Sequence, residues 1–432
     1  MTDPKSPDLR IGLAGLGTVG IGVVKIIQRH ADLIAARAGR RVVITAVSAR
    51  DRTKNRDADL SGYAWETDPV ALASRPDVDV FVEVMGGHEG PARLATEAAI
   101  ASGKDVVTAN KALLAHHGQA LAEAAEASSR VIKFEAAVAG GIPVIKALTE
   151  GLAGNQIKRV MGVMNGTCNY ILTRMQSAGL PYDQVFEEAR QLGYLEADPN
   201  LDVGGIDAGH KLSLLAAIAF GTKVSFDDVE LEGIGAVSID DINLAADMGY
   251  RIKLLGVAQL TGRGLEQRMT PCLVPADSPL GQLQGGTNMV VLEGDAVGQI
   301  VLRGAGAGEG PTASAIMGDV IDIARGFRQP TFGQPAISLA TPLAAKTATP
   351  APYYLRMTLL DKPGALAKIA TCLGEAGVSI DRMRQYGHQG ANAPVLIVTH
   401  KAARSDIDHA VTRFAATGVL VGAPVALRIE EV

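Results

Sequence analysis

An α/β architecture, led by a doubly wound parallel sheet, is predicted by three features of the sequence. Short aliphatic runs at 9–14, 42–47, 78–84, 105–108 and 131–134 alternate with longer helix-like stretches at 19–30, 91–102 and 112–128. The runs are nearly continuous rather than alternating, as strands buried on both faces of a parallel sheet are. The 432 residues are 47% hydrophobic and 20% charged, which is enough apolar material for two or three cores.

The remaining elements follow in order. Residues 140–152 read as a helix with Pro143 in its first turn. A strand at 157–163, helices at 170–177, 182–192 and 207–220, and strands at 289–292 and 299–302 precede a glycine-rich turn at 304–310. This pattern predicts a mixed α+β domain over 140–327, after a first domain over 1–139. Five prolines among Ala, Ser and Thr mark 328–352 as a linker. The last unit, 353–432, reads strand 353–359, turn DKPG, helix 365–376, strands 378–383 and 395–399, helix 405–417 and strand 425–429. That βαββαβ order is ferredoxin-like.

A formal net charge of -5 gives no reason to expect nucleic acid or an anionic membrane as a partner. Cys168, Cys272 and Cys372 lie far apart without metal or disulfide spacing, which fits a reducing cytoplasm. The opening MTDPKSPDLR has no apolar signal core, and no apolar run is long enough to span a bilayer.

The first run leads into Gly15-Leu16-Gly17-Thr18-Val19-Gly20, a GxGxxG with a strand before it and an amphipathic helix after it. Gly15 permits the tight turn, Gly17 lets a pyrophosphate approach the backbone, and Gly20 lets helix and strand pack closely. The free N–H groups of the helix start would meet the phosphates. A Rossmann-type dinucleotide site is therefore expected. Ser48 and Arg50 stand at the second strand tip, before Asp51. An arginine there can pair with a ribose 2′-phosphate, which points to NADP over NAD; Asp51 leaves NAD open.

Two lysines and a group of acids form the second constellation. Lys111 follows VTAN just past a strand end, where open α/β sheets bind ligands. Asp207 and Lys211 are one helical turn apart, at the entrance of an almost wholly apolar helix. A buried charged pair is costly unless it is functional. Glu196, Asp198, Asp202 and Asp207 crowd one short region, so carboxylates and a lysine could grip an ammonium group and supply a proton. A thiol at Cys168 admits a rival route, covalent aldehyde oxidation, although a small buried cysteine is the plainer reading. His88, His116, His117, His210 and His388 show no metal-ligand spacing.

GLGTVG, VTANK, EAAVAGGIPVI, NGTCNYIL, GYLEADPNLDVGGIDAGHK and GAGAGEGPTASAI, running in order from Gly12 to about Asp319, together resemble homoserine dehydrogenases. The resemblance implies reversible hydride transfer between NAD(P)H and aspartate 4-semialdehyde, giving L-homoserine. It makes Lys211 the proton donor and Lys111 the second active-site lysine. Glu196, Asp207 and Asp202 become substrate-binding acids, and Gly193 and Gly308 cofactor contacts beside Gly15, Gly17, Thr18, Val19, Gly20, Arg50 and Lys111. It also implies a sodium or potassium ion held by the Glu135 side chain and the carbonyls of Val138, Gly140 and Ile142. On residue pattern alone, that stretch reads as a strand followed by a glycine turn.

LLDKPGALAKIATCLGEAGVSIDRM resembles an ACT domain. This implies edge-to-edge pairing into a homodimer or homotetramer, the middle domain contributing to dimerisation. It also implies regulation by an amino-acid product of the pathway, threonine by analogy. A catalytically silent amino-acid sensor is the alternative from another class. The retained lysines and acids argue against it.

Overall fold

The computed structural model describes residues 7–196, 198–387 and 391–432. His388 lies outside the described residues. Six parallel strands form the first sheet: β1 (Leu9–Ala14), β2 (Val42–Ser48), β3 (Ala64–Glu66), β4 (Val80–Glu83), β5 (Asp105–Thr108) and β6 (Ile132–Lys133). Their order is β3-β2-β1-β4-β5-β6, which reverses between β1 and β4 and opens a crevice at the strand tips. Ile11, Leu13, Val80, Val82, Val106 and Val107 are fully buried, which explains the unbroken aliphatic runs.

A helix from the middle of the chain completes this layer. Glu309–Ala324 buries Ala313, Ile316, Met317, Val320 and Ile323 in one core with Ile11, Leu13, Val23 and Val24. It crosses Thr18–Arg29 so closely that a Cβ on Gly22 would come within 2.7 Å of the Glu309 carbonyl oxygen.

The second sheet contains β7 (Ile157–Val163), β8 (Glu230–Leu231), β9 (Tyr250–Thr261), β10 (Gly264–Pro275), β11 (Thr287–Gly294), β12 (Gly298–Ala305), β13 (Tyr353–Leu360), β14 (Ile380–Gln385), β15 (Asn392–Thr399) and β16 (Leu420–Ile429). Its order is β12-β11-β7-β9-β10-β16-β13-β15-β14, with β8 beside β10. The segment β16-β13-β15-β14, backed by helices Ala365–Glu375 and Arg404–Ala416, is the expected ferredoxin-like unit. It is not a separate bead. β16 pairs in parallel with β10 through Cys272–Arg428 and Leu273–Ile429, making the two sheets one.

Buried charges close this seam. Arg268 pairs with Glu266 and Glu430, and Arg428 Nε donates to Glu430 at 2.5 Å. Burial works against the Glu430 charge, but Arg268 and Arg428 outweigh it and hold its carboxyl below the usual range. Residues 328–352 run over the surface, pinned by bridges from Thr222 to Ala340 and Leu265 to Ala344. Phe332 is buried there, edge-on to Phe134 at 5.6 Å.

Helices Ala31–Ala38, Pro69–Ser74, Ile239–Asp247 and Glu309–Ala324 and the short strands β3 and β8 were not expected from the sequence, and three further differences have a clear physical cause. Glu135–Ala139 is a short helix, not a strand, because Glu135 and Asp319 anchor its start and Gly140 ends it at φ 57°. The expected helix after Pro143 is one α-turn, Val144–Lys146, widening into a π-turn at Ala147–Gly151. The long β9–β10 hairpin was not expected: Lys253, Glu266, Gln267 and Arg268 are buried in it, and their polarity hides its strands from a hydrophobic pattern. Among the described residues no helix is long and apolar enough to cross a membrane.

Candidate active site

The crevice above β1 and β4 opens into a cavity of about 710 Å³. Val19, Lys111, Gly193, Glu196, Asp202 and Asp207 line it. So do Lys211, Gly308 and Val138. Gly15, Gly17, Thr18 and Gly20 surround the lining residue Val19 in the chain, Glu135 precedes the lining residue Ala136, Gly140 and Ile142 follow the lining residue Val138, and Arg50 is not among the lining residues.

At the glycine loop, Gly15 takes φ 104° and donates its N–H to the Ser48 carbonyl at 2.9 Å. A Cβ on Gly20 would lie 2.0 Å from the Gly15 oxygen, so position 20 must be glycine for the turn to close. A Cβ on Gly17 would meet nothing within 4 Å. Gly17 also caps helix Thr18–Arg29 without any side-chain hydrogen bond. The first amides of that helix and the space above them are therefore left for an anion, which is the fit a dinucleotide pyrophosphate needs.

Arg50 is exposed beyond β2. Asp51 is occupied: one of its oxygens accepts Thr53 N at 2.8 Å, Thr53 Oγ1 at 2.7 Å and Lys54 N at 3.2 Å. Arg56, which the sequence reading passed over, reaches back to the Leu16 carbonyl at 3.1 Å. Arg56 and Arg52 lie 5.6 and 5.8 Å from the Trp65 ring centre.

The chemical centre is built on Asp207. Lys211 Nζ donates to its Oδ2 at 2.6 Å and to the Met164 carbonyl at 2.8 Å. Lys111 Nζ meets Oδ1 at 2.9 Å. Burial alone would raise the Asp207 pKa, but Lys211 and Lys111 outweigh it and hold the carboxyl far below the usual range. Burial likewise disfavours the Lys111 charge, but Asp207, with Glu196 and Asp202 farther off, keeps its pKa above the ordinary value. The Lys111 ammonium therefore stays charged. Asn110 caps the helix Lys111–Ala127 through Leu113 N at 3.0 Å, which aims Lys111 into the crevice.

Asp202 works behind this centre. Its carboxylate accepts Glu196 N at 2.9 Å and Asn165 Nδ2 at 3.0 Å, tying the 193–196 loop to the helix Gly166–Ala178. Asn165 lines the cavity and was not singled out from sequence; an asparagine directly before a helix is the capping signal that could have found it. Glu83 was missed too. Fully buried at the β4 tip, it accepts Met85 N at 2.7 Å and Thr108 Oγ1 at 2.6 Å and so shapes the cavity floor. An acid ending an aliphatic strand at the sheet's reversal point was its signal.

Cys168 is buried, and its Sγ donates to the Asp202 carbonyl at 3.3 Å. Burial, then Asp202 and Asp207, push its thiol far up, so no thiolate is on offer. His210 packs against Phe226 and His116, and burial followed by His116 lowers its pKa to about 4, keeping it neutral. Its Nε2 is buried without a partner among the described residues. No three side chains among the described residues form a metal-binding group.

Glu135 accepts Ile145 N and Lys146 N, each at 2.9 Å, and its own N–H donates to Asp319. Burial and then Asp319 raise the Glu135 carboxyl to about 7. The adjoining turn touches the late glycine loop: Gly141 N donates to the Ala305 carbonyl at 3.0 Å, and a Cβ on Gly140 would lie 2.4 Å from the Gly306 oxygen.

Comparison with known proteins matches the chain in three consecutive segments. Residues 15–135 match the homoserine dehydrogenase NAD-binding domain, 143–321 the homoserine dehydrogenase family and 353–418 the ACT domain. The homoserine dehydrogenase of Pseudomonas aeruginosa is 41% identical across 98% of this chain and 99% of its own. That of Neisseria gonorrhoeae is 44% identical across 93% and 94%. The solved homoserine dehydrogenase of Thiobacillus denitrificans superposes with a TM-score of 0.93 at 40% identity, covering 98% of this chain and 99% of that one. A hyperthermophilic archaeal homoserine dehydrogenase in complex with NADPH gives 0.63 at 26%, covering 75% and 100%. Likeness that runs from the glycine loop through the last strand, at this identity, means that the chain belongs to the homoserine dehydrogenases, nicotinamide-dependent oxidoreductases, and carries an ACT domain.

Proposed function

We propose that this chain reduces L-aspartate 4-semialdehyde to L-homoserine, reversibly, on the route to threonine and methionine. The observation that carries this reading is that Lys211 and Lys111 share Asp207 inside the cavity that also meets the glycine loop at Val19. A bound NAD(P)H supplies the hydride there. Lys211, the more buried lysine, stands to protonate the oxygen on which charge develops, and Lys111 adds a second positive charge beside it. Asp207 fixes both ammonium groups. Glu196 and Asp202 offer the negative charge that suits the substrate's ammonium.

NADP is the proposed cofactor. Asp51 is spent on its own turn, while Arg50 is exposed beyond the same strand and Arg52 and Arg56 gather at Trp65. The archaeal neighbour was solved with NADPH. A sodium or potassium ion is proposed at Glu135, with the carbonyls of Val138, Gly140 and Ile142. A buried carboxylate forced against Asp319 would gain from a cation, and hard oxygen donors suit one.

The proposed division of labour is dinucleotide binding in 1–139, catalysis and dimerisation in 140–327, a linker at 328–352 and regulation in 353–432. A cleft at the β13–helix turn, bordered by Leu359, Lys362 and Gly364, supports an amino-acid effector, threonine by analogy. The end strands β12 and β14 leave sheet edges for a homodimer or homotetramer. Three free, buried cysteines suit a reducing cytoplasm. The test is to follow NADPH and NADH absorbance with aspartate semialdehyde or homoserine, with and without threonine. Turnover with NADPH supports the reading; no turnover with either cofactor overturns it.

A further inference from the structure

A second cavity of about 710 Å³ lies at the opposite end of the first sheet, where the parallel strands begin. It is bounded by the starts of β1, β4 and β5, by Arg130 just before β6, and by Arg328 beyond the helix Glu309–Ala324. The cofactor crevice faces the other ends of the same strands. With six residues in β1 at roughly 3.3 Å each, the two sites are about 20 Å apart.

Five basic side chains (Arg10, Arg40, Lys104, Arg130, Arg328) meet three acidic ones (Asp8, Asp79, Asp105) around this cavity, an excess of two positive charges. Two of the acids are already engaged. Asp79 takes Arg10 in a two-point contact at 3.0 and 2.7 Å, and Asp105 takes Arg328 in another at 2.9 and 2.8 Å. Asp8 is exposed at the rim. Among the described residues, Arg40, Lys104 and Arg130 form no ion pair, although the Arg40 charge, after that of Arg10, helps to hold the Asp79 carboxyl low.

Both arginines are half-buried. The Nε atoms of Arg40 and Arg130 are shut off from solvent and find no acceptor. Each guanidinium thus keeps a donor without an acceptor on a residue that lines this cavity. A guanidinium so positioned matches a tetrahedral or planar oxyanion through paired N–H donors.

We propose that this cleft is a second small-molecule site, separate from the cofactor crevice, that takes a pyrophosphate group through Arg40, Lys104 and Arg130. The charge excess suits a multiply charged oxyanion, and the volume equals that of the catalytic cavity. The pyrophosphate could be the free inorganic ion or part of a nucleoside diphosphate.

The experiment uses the full chain saturated with NADPH, so that the glycine loop is already filled. Inorganic pyrophosphate, and separately ADP, are titrated by calorimetry at constant ionic strength. Saturable binding by the wild type is expected, weakened about tenfold or more in an Arg40→Gln/Arg130→Gln double variant whose KM for NADPH is unchanged. Lys104→Gln, a single change at a partly exposed position, is expected to weaken it as well and serves if the double variant does not fold. Binding of pyrophosphate but not ADP assigns the site to the free anion; similar binding of both assigns it to the diphosphate of a larger ligand. No saturable binding of either, or equal affinity in the variants, overturns the proposal.

Discussion

Glu135 donates its backbone N–H to the carboxylate of Asp319 at 2.9 Å, which sets two buried acids side by side behind the active-site wall. Burial is the main cause that raises both, Glu135 to about 7 and Asp319 to about 6. Lys146 lies 3.4 Å from Asp319 and works the other way on both. Because the folded pKa values exceed the unfolded ones, the folded state holds extra protons between the two. Without a bound cation, the contribution of this pair to stability should be fullest below the ordinary carboxylate range and should be lost as pH rises toward 7. A sodium or potassium ion that favours the ionised pair should reverse this loss. Thermal unfolding midpoints in alkali-metal chloride and in a bulky organic-cation chloride should therefore diverge by a few degrees as pH rises from about 5 to about 8. Glu135→Gln should erase the divergence; equal midpoints in both salts would count against a cation there.

Lys211→Ala should lower kcat by about a hundred- to ten-thousand-fold while NADPH still binds, as read by fluorescence titration. Normal turnover in that variant would remove Lys211 from the proton-donor role.

Asp207→Asn takes the counter-charge away from both lysines. Lys111, whose pKa Asp207 holds up against burial, should then titrate lower. The alkaline limb of the pH–rate profile should move to lower pH and the KM for the aldehyde should rise. An unmoved limb would mean that neither lysine depends on the shared carboxylate.

Two glycines of the nucleotide loop should separate by assay. Gly20→Ala forces a Cβ to within 2.0 Å of the Gly15 oxygen and should cost both thermal stability and NADPH affinity. Gly17→Ala meets no protein atom within 4 Å, so its unfolding midpoint should match the wild type while its KM for NADPH rises about tenfold or more. A Gly17→Ala enzyme with normal KM would place the phosphates elsewhere.

Cys168→Ser should keep turnover within about threefold of wild type, since a buried, protonated thiol is no nucleophile. Abolished activity with intact folding would revive the covalent aldehyde route.

The parallel sheet was legible because its strands are buried on both faces, as Val80–Glu83 and Asp105–Thr108 are, and so carry unbroken apolar pairs or triplets at their centres. The loop Gly15–Gly20 and the pair Asp207–Lys211 were legible because local geometry demands those residues at those spacings. What could not be read was what distant segments do to each other. Lys111 reaches Asp207 only because the helix Ile206–Phe220 packs beside Lys111–Ala127. Glu83 and Asn165 act through hydrogen bonds to loops. Helix Glu309–Ala324 packs on the first sheet although the mixed domain lies between them in sequence. The β9–β10 hairpin eluded pattern reading because its buried charges are satisfied by partners as remote as Glu430.

The pairing of β16 with β10 ties the last strand of the chain to its middle. Every other strand of the large sheet leaves the ribosome before Leu420–Ile429 does, yet that strand carries Arg428 and Glu430 to the buried side of Arg268. Until it docks, the catalytic half holds an open strand edge and a guanidinium short of a counter-charge. An open edge of that kind pairs readily with other chains, so the last strand of the ACT domain also shields the catalytic half from association.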